Sequence, residues 1–455
     1  MRKHLRNLWN DKRGNALILA AAALPLLLGS AGLATDTIQW ALWKRQLQRA
    51  ADSAAIAGVY DRVAHAGDHD NVPTAVDHDL ELNQHTNIDL ISGYPHLSYP
   101  ADVGSQKNQV HVELRVQKSL SFSSMFMAAA PEITASATAA TVGSSGEFCV
   151  LSLQNNSKTG IQATGNNSIV MDCGMMTNST ATNAAAGQGS ASVTATTIAA
   201  SGGIQQSNNW HISAYQPYSP SLDDPYADLD PDAADGDFDN CTAAGGLGKG
   251  DALTVNNTNT GLTMDGTASS TPYAGGACFS SLAINSGRTL TLKNGVYVIN
   301  GGSVDLQGTL NLVNAVIILT NKNTSPTATI GSFVSNASGA LNATAPDDSI
   351  AGGKWEGMAV YQDRRATDSA PTGNITASSP NRINGNTSQK VRGILYFPNQ
   401  QLTYNGTGTG GATCTQFVAK RLYWSGNSGL NNFTSNCENF GIHAITAPTK
   451  VRLVA

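Results

Sequence analysis

Eight aspartates crowd into one short stretch of this chain: Asp223, Asp224, Asp228, Asp230, Asp232, Asp235, Asp237 and Asp239. Hard oxygen ligands at that density are the chemistry of calcium. Counted from Asp228, however, the sixth position is Ala233 rather than Gly and the twelfth is Asp239 rather than Glu, so the EF-hand loop pattern fails. With Pro225 and Pro231 stiffening it, the run reads more simply as a solvated acidic linker. A second candidate is the set of histidines between His65 and His111. His65 and His69 are four apart, with Asp68 and Asp70 adjacent, and His78 and Asp79 would have to converge on them to hold a metal. The spacing is not HExxH, and histidines in a polar connector are usually solvated, so no metal ligand is assigned. A third set, Asp363, Arg364, Arg365 and Arg392 with Asp347 and Asp348, would suit a polysaccharide-acting enzyme. Such an enzyme needs two carboxylates at a defined separation. There is no GxSxG elbow, Walker loop or dinucleotide fingerprint. The expectation is a non-enzymatic protein with no catalytic residues and no cofactor.

The six cysteines, Cys149, Cys173, Cys241, Cys278, Cys414 and Cys437, make no CxxC or other metal-ligand spacing. They fall in three sequential pairs, and proximity suggests three local disulfides formed in an oxidising compartment. Each would contribute ~3 kcal/mol in the chain-entropy model.

These residues must be carried by elements, and the stretch from Arg13 to Ala57 organises them. Ala16 to Ala34, with Pro25 near its centre, is 19 residues without a charge. As a helix it spans roughly 28 Å, close to the hydrocarbon thickness of a bilayer. Trp40, Trp43, Leu47, Ala50, Ala54 and Ala57 then follow at spacings of three and four with no Gly or Pro break, which extends the helix beyond the membrane. Arg2, Lys3, Arg6, Lys12 and Arg13 precede the apolar run, and Lys44, Arg45 and Arg49 follow it. The positive-inside bias favours a cytoplasmic N-terminus. The alternative is a cleaved secretory signal with Gly32 and Ala34 before the cut, but the apolar run is longer than the usual h-region and the helical pattern continues past it.

This segment resembles the N-terminal region of TadG-like proteins of the Flp (Tad) pilus-assembly system. The residues that carry the resemblance are Arg13, Gly14, Pro25, Gly32, Leu33, Ala34, Asp36, Leu47, Gln48, Ala50, Ala51, Asp52, Ala54 and Ala55. Related pilins carry a Glu five residues past a processed Gly; here Ala16 to Leu19 contain no acid, and peptidase processing is not expected. The segments 357–365, 392–406 and 414–428 are similar to the C-terminal β-rich region of that family, and 223–241 to its Asp-Pro-rich linker. Some members carry a von Willebrand A-type domain with a DxSxS metal site, and no DxSxS occurs here.

Only 13% of residues are charged, while Gly, Ala, Ser, Thr and Asn are abundant. That composition fits short strands joined by tight turns. A net charge of −5 gives no footprint for nucleic acid. Val110, Val112, Leu114 and Val116 alternate with polar residues, the period of a half-buried strand, and 133–142 alternates more weakly. The domains expected are a cytoplasmic basic segment (1–15), a transmembrane helix (16–35), a helix extension with a small pilin-like α/β unit (36–142), a β-rich segment (143–222), the acidic linker (223–240) and a β-rich domain (241–455). The last is expected to be parallel β-helix-like, with a β-sandwich as the alternative.

The function expected is that of a membrane-anchored component of Tad pilus assembly or secretion. It would be a single-pass protein of the bacterial inner membrane with its bulk in the periplasm or reaching the cell surface. Its partners would be other Tad proteins or pilins. The alternative is a secreted or surface adhesin that binds glycans.

Overall fold

The computed structural model describes residues 13–454 except 66, 83–88, 104–105, 143–146, 243–245, 268–272, 369, 371, 385–388, 406–413, 427–428, 433–436 and 447–449. Contacts divide the chain into two units, residues 1–144 with 449–455, and residues 145–448.

The first unit is built on helix α1, Arg13–Ala64. Pro25 lies inside it, where the loss of one backbone hydrogen bond is tolerated in membrane helices. Leu24, Leu26, Leu27, Leu28 and Leu33 are all more than half exposed. Among the described residues, α1 is the one helix long and apolar enough to cross a membrane. Its second half is buried along Leu47, Ala50, Ala51, Ala54, Ala55 and Val59. This stripe differs from the expected line of Trp40 to Ala57: Trp40 is 43% exposed and Ala57 is half-buried. Helical spacing fixes a face only to within a residue either way, and the partner elements select the positions that approach closest.

Those partners are helix α2, Val72–Leu82, and the strands β1, His96–Ser98, β2, Gln106–Gln117, and β3, Glu132–Val142. The sheet order is β1-β2-β3 followed by Lys450–Leu453, with every pairing antiparallel. Val110, Val112, Leu114 and Val116 of β2 face α1, as do Ile133, Ala135, Ala137 and Ala139 of β3. Alanines on both sides let helix and sheet approach closely, and a β-carbon at Gly58 would stand 2.9 Å from Val110.

Residues 145–448 are inserted between β3 and Lys450–Leu453, strands that pair with each other at Val142 and Lys450. This second unit is almost entirely parallel in its pairing. From one end the order is Trp210–Gln216, Ser192–Ala200, Gly174–Thr177, Glu147–Ser152, Thr415–Trp424, Lys390–Tyr404, Met358–Gln362, Thr309–Thr320, Thr289–Asn300 and Gly276–Phe279. The segments expected as separate, 143–222 and 241–455, thus share one stack, joined where Val418 meets Leu151. The chain enters at Glu147–Ser152, in the middle of the stack. It leaves there too, because Ile445–Thr446 pairs antiparallel with the same strand.

Apolar runs such as VYVI (296–299), VIIL (316–319), MAVY (358–361) and ILYF (394–397) do not alternate with polar residues, and such runs mark strands buried on both faces. The inner ladder is Ile198, Met175, Val150, Phe417, Leu395, Val360, Ile317, Tyr297 and Ala277. The outer ladder, one residue along each strand, is Ala199, Met176, Leu151, Val418, Tyr396, Tyr361, Ile318, Val298 and Cys278. The cysteines pair sequentially, Cys149 with Cys173, Cys241 with Cys278 and Cys414 with Cys437.

Arg421 is fully buried, and its guanidinium is held by Asp368, which also accepts from Lys420 at 3.0 Å. Burial alone would raise the Asp368 carboxyl, but hydrogen bonds from Arg421, the Ala370 N–H and Lys420 outweigh it and hold the group at about 2. A carboxyl depressed by folding stabilises above its unfolded pKa, and that stabilisation disappears as pH falls through the folded value. Stability of the second unit should therefore fall between about pH 4 and about pH 2. Asp368→Ala strands a buried cation and should cost about 3–5 kcal/mol in denaturant unfolding at neutral pH, with a flatter acid limb.

Candidate functional site

Two constellations bring distant residues together. The first joins α1 to its sheet. Asp36 is only 4% exposed. Its carboxylate accepts from the Phe122 N–H at 3.1 Å, the Ser123 N–H at 2.5 Å and the Ser123 hydroxyl at 2.6 Å. These donors lie in the connection between β2 and β3, where Ser123–Met125 forms one 3-10 turn. A carboxylate at the start of such a turn satisfies amide groups that would otherwise lack partners. One helical turn earlier, a β-carbon at Gly32 would collide with the Phe122 ring, so the ring lies directly on the α1 backbone. Farther along, Gln48 donates its amide to the Ser136 carbonyl of β3 at 2.8 Å and to Asp52 at 2.9 Å, and Lys44 donates to the Thr134 carbonyl. Leu47, Ala50 and Ala51 fill the space beneath. Asp36, Leu47, Gln48, Ala50 and Ala51, singled out in the sequence, therefore fasten the helix to its sheet, while Asp52 accepts from Gln48 within the helix. Pro25 and Ala34 sit exposed on the apolar half, and the side chains of Arg13, Gly14 and Ala16 lie outside the described residues.

The second constellation is the acidic run. It is not the solvated linker that its composition predicts. After Trp210–Gln216 at one end of the stack, the chain turns back and crosses the outer ladder strand by strand. Asn178 exchanges two hydrogen bonds with the Leu222 backbone, at 2.7 and 2.8 Å. The Tyr396 hydroxyl donates to Asp224 at 2.6 Å, and Tyr226 bonds to Gln416. Asp230 accepts from the Tyr361 hydroxyl at 3.0 Å and from Arg364 at 2.7 Å. Asp237 accepts from the Trp355 indole at 2.9 Å and from Lys354 at 2.8 Å, and Lys354 also reaches Asp235. Leu222 and Phe238 are buried against the ladder, and the Cys241–Cys278 disulfide closes the far end. Burial, together with the nearby Asp230 and Asp224 carboxylates, pushes the Tyr361 and Tyr396 hydroxyls well above the ordinary tyrosine range. The hydroxyls thus remain proton donors to those carboxylates. From Met176 to Cys278 is seven strand steps, roughly 34 Å at the usual spacing. Leu222 to Cys241 could reach nearly twice that when extended, and turns take up the slack.

The other candidates do not converge into a site. His65 bonds to Asp61, the His69 ring lies 4.5 Å from that of Tyr99, and His111 bonds to Thr138. Among the described residues, no three His, Cys, Asp or Glu side chains come together in a metal-binding group. Asp363 is buried and held by Arg365 and Thr320, Arg392 lies over the Phe440 ring, and Asp347 bonds to Ser349 and Asn314. The acidic run does border one pocket of about 530 Å³, whose lining includes Tyr226, Asp228, Lys354, Glu356 and His443.

A helix long and apolar enough to cross a membrane, fastened directly to an antiparallel sheet, suits the role of a membrane anchor. Residues 14–64, nearly the whole of α1, match the family model of putative Flp pilus-assembly TadE/G-like proteins. No curated protein and no solved structure matches the chain.

If the acidic run is a fastening strap, Asp237→Ala should cost about 1–3 kcal/mol, because the buried Trp355 indole loses its acceptor and Lys354 keeps only Asp235. Asp228→Ala, at an exposed position, should change little. Replacing Cys241 and Cys278 by Ser should cost about 2–5 kcal/mol and expose 223–240 to limited proteolysis.

Proposed function

We infer that the chain is a non-enzymatic, membrane-anchored component of the Tad pilus-assembly or secretion machinery. Its β-rich unit would be held on the periplasmic side of the bacterial inner membrane. The observation that carries this reading is the coincidence, on one helix, of the Tad match, the membrane-length apolar run and the residues that lock the helix to its sheet. A long helix packed along an antiparallel sheet supports a pilin-like reading of the first unit, with other Tad proteins or pilins as partners. Parallel pairing from Trp210–Gln216 to Gly276–Phe279 supports β-helix-like winding over a sandwich for the second. Saturation of Asp363 by structural partners supports a role without catalysis.

A second reading, surface adhesion through glycan binding, is favoured by the pocket beside Tyr226, whose mix of aromatic, acidic and basic groups suits a polar ligand. The soluble β-unit on a glycan array tests it, and binding without turnover would separate adhesion from enzymatic action.

Cell fractionation with mass spectrometry of the mature N-terminus tests the principal reading. The expected result is an unprocessed N-terminus in the inner-membrane fraction. A new N-terminus after Gly14 would make the protein a pilin-like subunit, and one after Ala34 with protein in the medium would make it secreted.

A further inference from the structure

Between Lys118 and Glu132 the chain runs for 13 residues, from Ser119 to Pro131, without a charge. This is the tip of the β2–β3 hairpin, and its apolar side chains are not turned inward. Leu120 is buried, but Met125 and Phe126 are each 75% exposed and Met127 is 48% exposed. Three large apolar side chains in succession on a polar-tipped hairpin would be unfavourable in water. Their depth along α1 is fixed. The Phe122 ring lies on Gly32, Phe122 stands 5.3 Å from Phe126 ring to ring, and Asp36 holds the Phe122 and Ser123 amides. Gly32 is inside the apolar run, beside the exposed Leu28 and Leu33. The tip is therefore level with the last turns of α1 before it leaves the hydrocarbon, and its exposed surface continues the lipid-facing surface of the helix.

We propose that the 119–131 tip is a second membrane-contacting element, with Met125, Phe126 and Met127 inserted into the leaflet through which α1 emerges. The occupant of this surface is the acyl and headgroup boundary of the bilayer, because the same lipid that surrounds Leu28 and Leu33 meets the tip at that depth. The Asp36 carboxylate is the joint that sets the angle: bonded to backbone amides, it allows an acid to sit at the membrane boundary without leaving a donor unpaired. Two contacts, one spanning and one shallow, would stop the folded unit from swivelling about a single helix. This inference rests on the anchored reading of α1.

The test uses the full chain in vesicles of phosphatidylethanolamine and phosphatidylglycerol. The native cysteines are all in disulfides, so single cysteines introduced as Phe126→Cys, Leu27→Cys and Tyr218→Cys can carry an environment-sensitive fluorophore. Phe126 and Tyr218 are exposed positions, and limited proteolysis of each labelled variant against the unlabelled chain checks that folding is retained. The expected result is blue-shifted emission at both 27 and 126, with position 126 quenched most by lipids spin-labelled near the headgroup and position 218 in water. Quenching at 27 with position 126 aqueous would overturn the tip proposal and leave the anchor standing. No quenching at either would overturn the anchor, and the tip with it. A blue shift at 126 that lipid quenchers do not touch and that disappears as protein is diluted in the vesicles would assign the tip to a second copy, and would overturn the lipid assignment.

Discussion

A strand stack that the chain enters at its middle imposes one constraint on everything else in the β-rich unit. Having built outward to Trp210–Gln216, the chain must return along the full length of the stack before it can start again at Gly276–Phe279. The return path needs a surface to lie on, and the outer ladder supplies an apolar one. It also needs directional contacts, or a polar segment would be better solvated in water. Tyr396, Tyr361 and Trp355 supply these as hydroxyl and indole donors standing among apolar neighbours, and Asp224, Asp230 and Asp237 accept them in turn, the acidic run meeting the donors in the reverse of their sequence order. The aspartates and the aromatic donors thus form one structure, with Arg364 and Lys354 completing the carboxylates' pairing.

The same logic, on a smaller scale, governs the first unit. The apolar half of α1 is largely exposed within its own unit, so the attachment of the helix to the sheet is concentrated in a few positions: Asp36, Gln48 and a line of alanines. Small residues permit close approach, and the polar pair prevents the helix from sliding along the sheet by bonding to fixed backbone groups. The Tad match ends at residue 64, where α1 ends, so the matched residues include this joint and none of the inserted unit.

Local pattern revealed a good part of this. The membrane-length run, the alternation of Val110 to Val116 and the turn-rich text after Gly143 each carry their element type in a few neighbouring residues. The cysteine pairs are close enough in sequence for proximity to suggest them. What local pattern could not supply was partnership at long range. Asp36 finds its donors 86 and 87 residues away, and Asp237 finds Trp355 118 residues away. An acidic run has the same composition whether it is solvated or strapped down. One signal was available: strands such as VIIL and ILYF are apolar at consecutive positions, so both of their faces need cover, and the acidic segment supplies part of the cover for the second face.

The insertion of residues 145–448 between two neighbouring strands has a consequence for the order in which the protein can fold. β3 is synthesised long before its partner Lys450–Leu453, so the first sheet keeps an open edge until that strand has been made. Glu147–Ser152 likewise waits for Thr415–Trp424, with the Ser152 hydroxyl meeting the Lys420 carbonyl across 268 residues. Contacts of such separation are slow to form. Throughout that interval the growing chain presents unpaired strand edges. The four residues Lys450–Leu453 therefore act as a latch, closing a sheet edge that the inserted unit has held open.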